Sequence, residues 1–579
     1  MKQIISYIYK KIFIRYINDK TIKYLLQSSA VIFGFIFIIL GYNYSKIYYG
    51  GILVTCIVYM QSYKYKKRIE YKKFVKNLVK RQKKDFRKDT ELKNINQLYE
   101  YFDQKRKIDK GIDKNTWLDL NMDDLYKIFN KTFSKMGEQV LYNILKIPLY
   151  KKEKLIQRDS IIKYFTKNKE IRNKVSYNLN RLNSNKSGSL LYFINNCNYS
   201  NKKSLFILYL FRYLPFLSIF AIFFLPIKLF VIFYFLVILN NIINYFLINK
   251  KIYDRTVTSD YFLKFNEIVM TIKDFKLEFL NEKGFFNDYE KLLKKIDNTK
   301  SLFSFLKTIP EFKSYFNIFM LDDIITFYRL VNIISENKEK LVTLYEKIGY
   351  IDALIAISFL REEYDYSKPK FTNKIKYLEI KKGSNPLLQK PVSNSFKINK
   401  KHLMITGTNM SGKTTFIKTI GLNILLAQTI YTTFTEKYES SFFNLISSIN
   451  IADNLMDGKS YYYMEADRIR EIINKVDGNF GTFVLIDEIF KGTNYNERMK
   501  VSISVLEYLV KKNCIIALTT HDLKLEEKIN KYFKYYHFSE KVGSNGFEFD
   551  YKLKEGECSI TNAIKLLKKL DFPEEITEI

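Results

Sequence analysis

The stretch "HLMITGTNMSGKTTFIKTIG", residues 402–421, constrains the fold more than any other part of the chain. An apolar, strand-forming run ends at Gly407, four residues separate it from Gly412, and a helix-forming run opens at Lys413. Glycine reaches backbone conformations closed to other residues, so a strand can turn sharply into a helix whose first amides face inward. The spacing Gly407-x-x-x-x-Gly412-Lys413-Thr414 is that of a phosphate-cradling loop. In such a loop the lysine reaches the β- and γ-phosphates and the threonine hydroxyl ligates Mg²⁺. The surrounding sequence supplies the sheet that such a loop needs. From about residue 373, short β-rich runs ("TFVLIDE", "CIIALTTH", "FKYYHFSE", "FEFDYKL") alternate with helical ones, which predicts an α/β domain over 373–579.

Two of those strands end in chemistry. "TFVLIDE" delivers Asp487 and Glu488 to a strand's carboxyl end, 74 residues after Lys413. Asp487 suits the Mg²⁺ side of a nucleotide site and Glu488 the activation of an attacking water. "ALTTHD" delivers His521 to the end of another strand, where it would sense the γ-phosphate. The four cysteines, Cys56, Cys197, Cys514 and Cys558, have no metal-ligand spacing and read as small hydrophobes in a reducing compartment. With three histidines and no HExxH, no imidazole-based metal site is expected; the metal is Mg²⁺ alone.

Long uncharged runs set the second constraint. Residues 25–45 and 47–63 carry no charge, and a second pair lies at about 204–225 and 229–249. Each approaches the roughly 17–25 residues that a bilayer requires, so four spans are expected, arranged as two hairpins (about 25–63 and 204–249). Arg212, near the start of the third span, is expected to snorkel to the headgroups. Residues 1–24 hold six Lys/Arg against one Asp, and residues 64–88 hold 13 against two acids. The positive-inside rule then places the N-terminus, the helical regions and the α/β domain in the cytoplasm, a multi-pass membrane arrangement. No small-residue cleavage site follows the first run, so it does not read as a signal peptide. The net charge of +35 favours anionic partners, either nucleic acid or an anionic membrane face, although part of it follows a general richness in Lys, Ile, Asn, Tyr and Phe. Residues 111–203 and 250–372 show apolar residues at helical spacing, with Pro148 breaking one run in two.

The motifs resemble those of the MutS family. "TGTNMSGKTT" is similar to its Walker A core, TG-x-NM-x-GK-[ST], which implies a nucleotide-binding loop of Gly407, Thr408, Asn409, Met410, Ser411, Gly412, Lys413, Thr414 and Thr415. "LIDEIFKGTN" resembles its Walker B and following loop. "ADNLMDGKSYYYMEADRIREII" resembles its ABC-like signature segment, with Ser460 and Glu465 at the recurrent serine and glutamate. "LAQTIYTTFTEKYE" would place Gln428 between the loop helix and the nucleotide-sensing loop. "TWLDLNMDDLYKIFNKTFSKMGEQVLYNILKIPL" looks like the start of the family's core domain, so the resemblance runs from about 113 to 579, interrupted by the second apolar pair. It implies ATP and Mg²⁺ as cofactors, Thr414 and Asp487 on the metal, and Glu488, His521 and Ser460 as catalytic residues. It also implies a dimer in which Ser460 faces the partner's γ-phosphate.

The expected architecture is therefore a basic N-terminal segment with a hairpin (1–110), a first core part (111–203), a second hairpin (204–249), lever helices (250–372) and an ABC-type P-loop ATPase (373–579). The departures from the family matter. Membrane and basic segments stand where a repair MutS has its mismatch reader and connector, Asn385 replaces the usual histidine before Pro386, and Phe265-Asn-Glu267 matches the family's Phe-x-Glu wedge only formally. Two readings stay open. One is a membrane-anchored ATPase of MutS type that also binds DNA; the other is an ABC-class ATPase that moves a membrane or protein partner without DNA. A transporter is disfavoured by the small number of spans and a signature that is not LSGGQ.

Overall fold

Strands that are apolar along their whole length must be covered on both faces, and that requirement builds the C-terminal half of this chain. The computed structural model describes residues 32–34, 36–81, 95, 111–183, 189–197, 202–275, 277, 286–300, 317–408, 410–450, 461–476, 481–490, 495–522, 529–543 and 546–557. The chain divides into two units, one of Met1–Phe86 with Asn173–Tyr177 and the other of Arg87–Arg172 with Asn178–Ile579. It is mostly helical, with a C-terminal α/β sheet region.

In the first unit, a short apolar helix at Ile32–Asn43 leads through a turn to α1 (Gly50–Arg81). The two helices approach closely, since a side chain on Gly51 would clash with the Phe37 ring. Of the two spans expected in this unit, 25–45 lies partly outside the described residues, and 47–63 is not found as such. The charge-free part of α1, Gly50 to Tyr63, rises only about 21 Å at 1.5 Å per residue, against a hydrocarbon core of roughly 30 Å. A 3₁₀ turn at Lys46–Tyr49 takes up the residues that the sequence window had counted towards the span. Among the described residues, only two helices are long and apolar enough to cross a membrane, Leu205–Phe223 and Ile227–Ile252.

The second unit begins with α2 (Lys114–Asp119), α3 (Met122–Phe129), α4 (Lys135–Lys146), α5 (Lys152–Lys167), α6 (Lys169–Asn180, of which Asn173–Tyr177 belongs to the first unit) and α7 (Ser189–Asn196). Pro148 falls between α4 and α5, as a residue that cannot continue a helix should. Then come the apolar pair α8 (Lys202–Ile219) and α9 (Ile227–Asp274), α10 (Glu290–Asp297), α11 (Asp322–Glu336) and α12 (Lys338–Glu363). α9 continues without a break from the apolar hairpin into the polar helical region. Arg212 does not snorkel. It is 12% exposed and pairs at 3.2 Å with Asp322, 2% exposed, at the start of α11. Beside this pair, Asn241 donates to Phe211 O (2.8 Å) and Phe319 O (3.2 Å), and the Tyr245 hydroxyl to Asp323 (3.2 Å). Phe211 needs that donor because Pro215, four residues on, has no N–H to give it.

The sheet region starts with β1 (Lys370–Phe371), β2 (Tyr377–Gly383), β3 (Asn394–Asn399) and β4 (His402–Thr406). After α13 (Lys413–Ile430) come β5 (Lys437–Ser440), β6 (Asn444–Ser448), α14 (Tyr461–Lys475), β7 (Thr482–Asp487), α15 (Tyr495–Val510), β8 (Cys514–Thr519), β9 (Phe533–Gly543) and β10 (Gly546–Glu555). A small sheet runs β1-β5-β2-β3, and the main one β10-β9-β4-β8-β7-β6. The main sheet is parallel apart from the antiparallel edge strand β10. One face packs Val484, Ile486, Ile516 and Leu518 against Ile469 and Ile472 of α14 and Leu506 and Leu509 of α15. On the other face lies α13, close enough that a side chain on Gly421 would meet Leu485 at 2.6 Å.

Three buried polar joints fix the helical elements to one another and to the sheet. Asp352 of α12 accepts from Phe133 N (3.0 Å), Ser134 N (2.7 Å) and the Ser134 hydroxyl (2.6 Å) at the start of α4. Arg361, also on α12, donates to Ile430 O, Tyr431 O and Asp159, closing the carboxyl end of α13. Asp119 of α2 accepts from the Ser447 hydroxyl, Ile449 N and Asn450 N at the end of β6.

Because a side chain on Gly137 would meet Asp352 Oδ2 at 2.2 Å, Gly137→Ala is expected to destabilise the chain. Asp352→Ala, which leaves buried amides unsatisfied, should cost about 3–5 kcal/mol in denaturant unfolding. Burial also holds the His402 imidazole down to about 4, with Lys376 adding to the effect. Its folded value lies below the unfolded one, so the unfolded chain takes up the proton first. The contribution is full above about pH 6.5 and is lost as pH falls towards 4, a loss on the order of 3 kcal/mol. Unfolding free energy measured across that window should fall accordingly, and less steeply in His402→Asn.

Candidate functional site

The site forms where β4 hands over to α13. Three residues of the connecting loop take left-handed backbone conformations: Gly407 (φ +139°), Met410 (φ +67°) and Gly412 (φ +106°). At Gly407 no side chain fits, since a Cβ would lie 2.7 Å from Phe538 O of β9. The loop curls around Lys413, whose ammonium donates to Gly407 O (2.7 Å) and Thr408 O (2.9 Å). A buried ammonium held by carbonyls of its own loop is placed to exchange them for an anion. Asn409 lies outside the described residues. Met410 is 84% exposed, and Ser411 is buried under the loop.

The acidic strand end lies beside the loop. The Thr414 hydroxyl donates to Asp487 Oδ2 at 2.8 Å, and the Thr519 hydroxyl to Asp487 Oδ1. Glu488 follows with φ +60°, a left-handed turn that ends the strand and brings its carboxylate to the loop's cavity. Its N–H is held by Thr519 O (3.1 Å), and its Oε1 stands 3.0 Å from His521 Nδ1. His521 thus meets Glu488 because β7 and β8 are register neighbours, with Asp487 paired to Thr519. Asp522 is fixed in turn by Arg498 (3.1 Å) and Tyr495 (3.1 Å). The cavity has a volume of about 520 Å³, and its walls include Lys413, Thr414, Thr415, Glu488, Asn385 and Tyr551.

The remaining sequence expectations fall as follows. Ser460 lies outside the described residues. Glu465 is buried on α14. Gln428 is not in the cavity; its amide exchanges two 2.8 Å hydrogen bonds with the Phe443 backbone and ties α13 to the approach of β6. Asn385 is buried at the cavity wall, its carbonyl oxygen accepting from Leu387 N at 3.0 Å. Phe265 is buried in α9, and Glu267 pairs with Arg181 at 3.0 Å, so this Phe-x-Glu is packing and ion pairing, not a projecting wedge. No group of three or more His, Cys, Asp or Glu among the described residues could hold a metal ion.

Sequence reasoning missed Tyr551. It sits on β10 with φ +52° at the strand's irregularity, and its ring edge lies where a side chain on Gly412 would be, 3.2 Å away. Asn394 at the start of β3 pins it there, donating to Tyr551 O (3.0 Å) and accepting from Leu553 N (2.8 Å). An aromatic face at the mouth of a phosphate-sized cradle can stack on a nucleobase. The neighbouring Lys418 has its pKa lowered by burial, against the opposing pull of Asp119 and Asp487.

A parallel sheet with a glycine-bent loop between strand and helix, a lysine inside that loop and an acidic strand end beside it defines a candidate phosphate-binding α/β site. Residues 403–579 match the family model described as MutS domain V. The DNA mismatch repair protein MutS of Petrotoga mobilis is 28% identical over 255 residues, 42% of this chain and 31% of that protein. Its counterpart in Thermotoga maritima is 28% identical over 254 residues, with the same shares. The DNA mismatch repair protein MSH3 of Candida glabrata is 27% identical over 319 residues, 51% of this chain and 30% of that protein. The chain spans about a third of the length of these curated relatives. Over these stretches the chain is similar to proteins of the MutS family.

If Tyr551 supplies the base platform, Tyr551→Ala should weaken binding of a fluorescent adenine nucleotide several-fold, whereas Tyr551→Phe binds as the parent does, both read by titration.

Proposed function

We propose that this protein is a MutS-type ATPase that binds and hydrolyses ATP with Mg²⁺ as a dimer, binds DNA, and is anchored in a membrane by α8 and α9. The observation that carries the reading is the meeting of Thr414 with Asp487 and of Glu488 with His521 at the mouth of the Lys413 loop. These residues fit the cofactor. The lysine ammonium already occupies a cradle of carbonyls, and no β-carbon can be added at Gly407 without a clash. Lys413 and the loop amides would hold the phosphates, and Thr414 and Asp487 would hold Mg²⁺, which supplies neutralisation of the phosphate charge. Glu488 would take the proton of the attacking water, and His521 would orient that carboxylate and sense the γ-phosphate. Ser460 of one copy completes the site of the other.

DNA binding rests on the relatives, two of which are named DNA mismatch repair protein MutS and one MSH3. A second reading, in which the ATPase moves a membrane element or protein partner without DNA, is favoured by the connection from the hairpin to α13. That connection runs from Arg212 to Asp322, on through α11 and α12, to Arg361 on the end of α13.

Lys413→Ala and Glu488→Gln should each abolish ATP turnover in the purified full chain, and turnover at the parent rate in both would refute the site. In mixed dimers, Ser460→Ala should impair only the partner's site. Binding to homoduplex, mismatched and branched DNA across a salt series separates the two readings. Affinity that falls steeply with salt supports DNA contact, and binding to none of them supports the second reading.

A further inference from the structure

The hairpin α8–α9 exposes large apolar side chains on nearly every side, and its tip is apolar as well. Phe223 and Phe224, in the turn itself, are 78% and 85% exposed. A hairpin that crosses a bilayer puts its turn into water, where polar residues are expected. Here the turn reads "FAIFFLPI", and Lys228 is the first charge after it.

The polar residues lie lower down, in one layer. Arg212 and the freed Phe211 carbonyl on α8 stand level with Asn241 and Tyr245 on α9; Asn241 donates to Phe211 O and Phe319 O, Arg212 pairs with Asp322, and Tyr245 donates to Asp323. On the outer face of α9, Asn240 and Asn244 are hydrogen-bonded to each other at that level. Tyr209 and Tyr213 stack on α8 beside it, the aromatic pattern of a membrane interface. From this layer to the turn, each leg has about 13 or 14 residues (Phe211 to Phe224 and Ile227 to Asn240), a rise of roughly 20 Å. The hydrocarbon of a bilayer is roughly 30 Å thick, so a hairpin resting on this layer ends about 10 Å short of the far side. Below the layer, Phe206, Leu210, Phe246 and Leu247 remain exposed over roughly 9 Å, a depth comparable with the headgroup zone, and Lys250 and Lys251 follow.

We infer that α8 and α9 form a re-entrant wedge in a lipid bilayer, inserted from one side. The Arg212–Asp322 layer rests at the near hydrocarbon edge, and the Phe223–Phe224 turn lies inside the hydrocarbon. Lys228, the one charge near the tip, then extends its stem towards the far headgroups. The charged groups of the layer, Arg212, Asp322 and Asp323, stay at the edge, where pairing and nearby water keep their cost low; burying them at mid-bilayer would cost more. This inference rests on the membrane reading of the proposed function and specifies its geometry.

The test uses the full chain with Cys56→Ser and Cys558→Ser, an environment-sensitive dye on Phe224→Cys, and vesicles of phosphatidylcholine and phosphatidylglycerol. The dye should emit as in an apolar medium, be quenched by lipids carrying a nitroxide in mid-chain, and resist reduction by dithionite supplied on both faces. The same dye on Tyr213→Cys should be quenched by headgroup nitroxides instead. Prompt reduction of the Phe224 dye would overturn the wedge in favour of a crossing hairpin. A dye that is dry yet unquenched by lipid would mean that protein covers the tip, which also overturns it. Failure of the chain to float with the vesicles would remove the membrane reading itself.

Discussion

A fully buried carboxylate sits at the centre of the helical part. Asp352 is fully buried in α12, and its charge is met by the first amides and the hydroxyl of α4. A helix N-terminus carries a partial positive charge, so the pairing is electrostatic as well as hydrogen-bonded. It demands close approach, and the chain provides it with glycine on both sides: Gly137 lies against Asp352, and Gly349 lies against Met136 and Val140. With α4 and α12 locked in this way, Arg361 is carried to the end of α13, and α13 in turn carries Lys413 and Thr414. The placement of the phosphate loop therefore depends on a joint far from it in sequence.

The loop and the acidic strand end were legible in the sequence because each is a local pattern. Strand-length apolar runs ended in glycine, in Asp-Glu and in His, and parallel pairing brings the carboxyl ends of adjacent strands together. Tyr551 was not legible. It is one of 46 tyrosines, and it reaches Gly412 only through the pairing of β10 with β9 and the clip from Asn394. By resemblance Gln428 stands in the stretch joining the loop helix to the nucleotide-sensing loop, and there its amide, facing a backbone N–H and C=O, makes a structural tie.

The apolar segments teach the same lesson. A count of uncharged residues does not register that a 3₁₀ turn consumes part of 47–63, nor that Arg212 has a partner 110 residues away in Asp322. Charge in an apolar helix reads as an interruption until its partner is known. Once Asp322 is placed, Arg212 becomes the reason that α8 packs where it does.

The two legs of that hairpin are mechanically unequal. α9 is 48 residues long and contains neither glycine nor proline, the usual sites of bending. α8 is 18 residues long and has Pro215 within it. A rigid rod and a jointed strut fixed at a common tip do not share strain evenly. Twist entering at the polar end of α9 reaches the apolar tip with little loss, and the compensating flexure collects in α8 at the carbonyl that Asn241 holds. The asparagine thus holds the carbonyl that the proline leaves free.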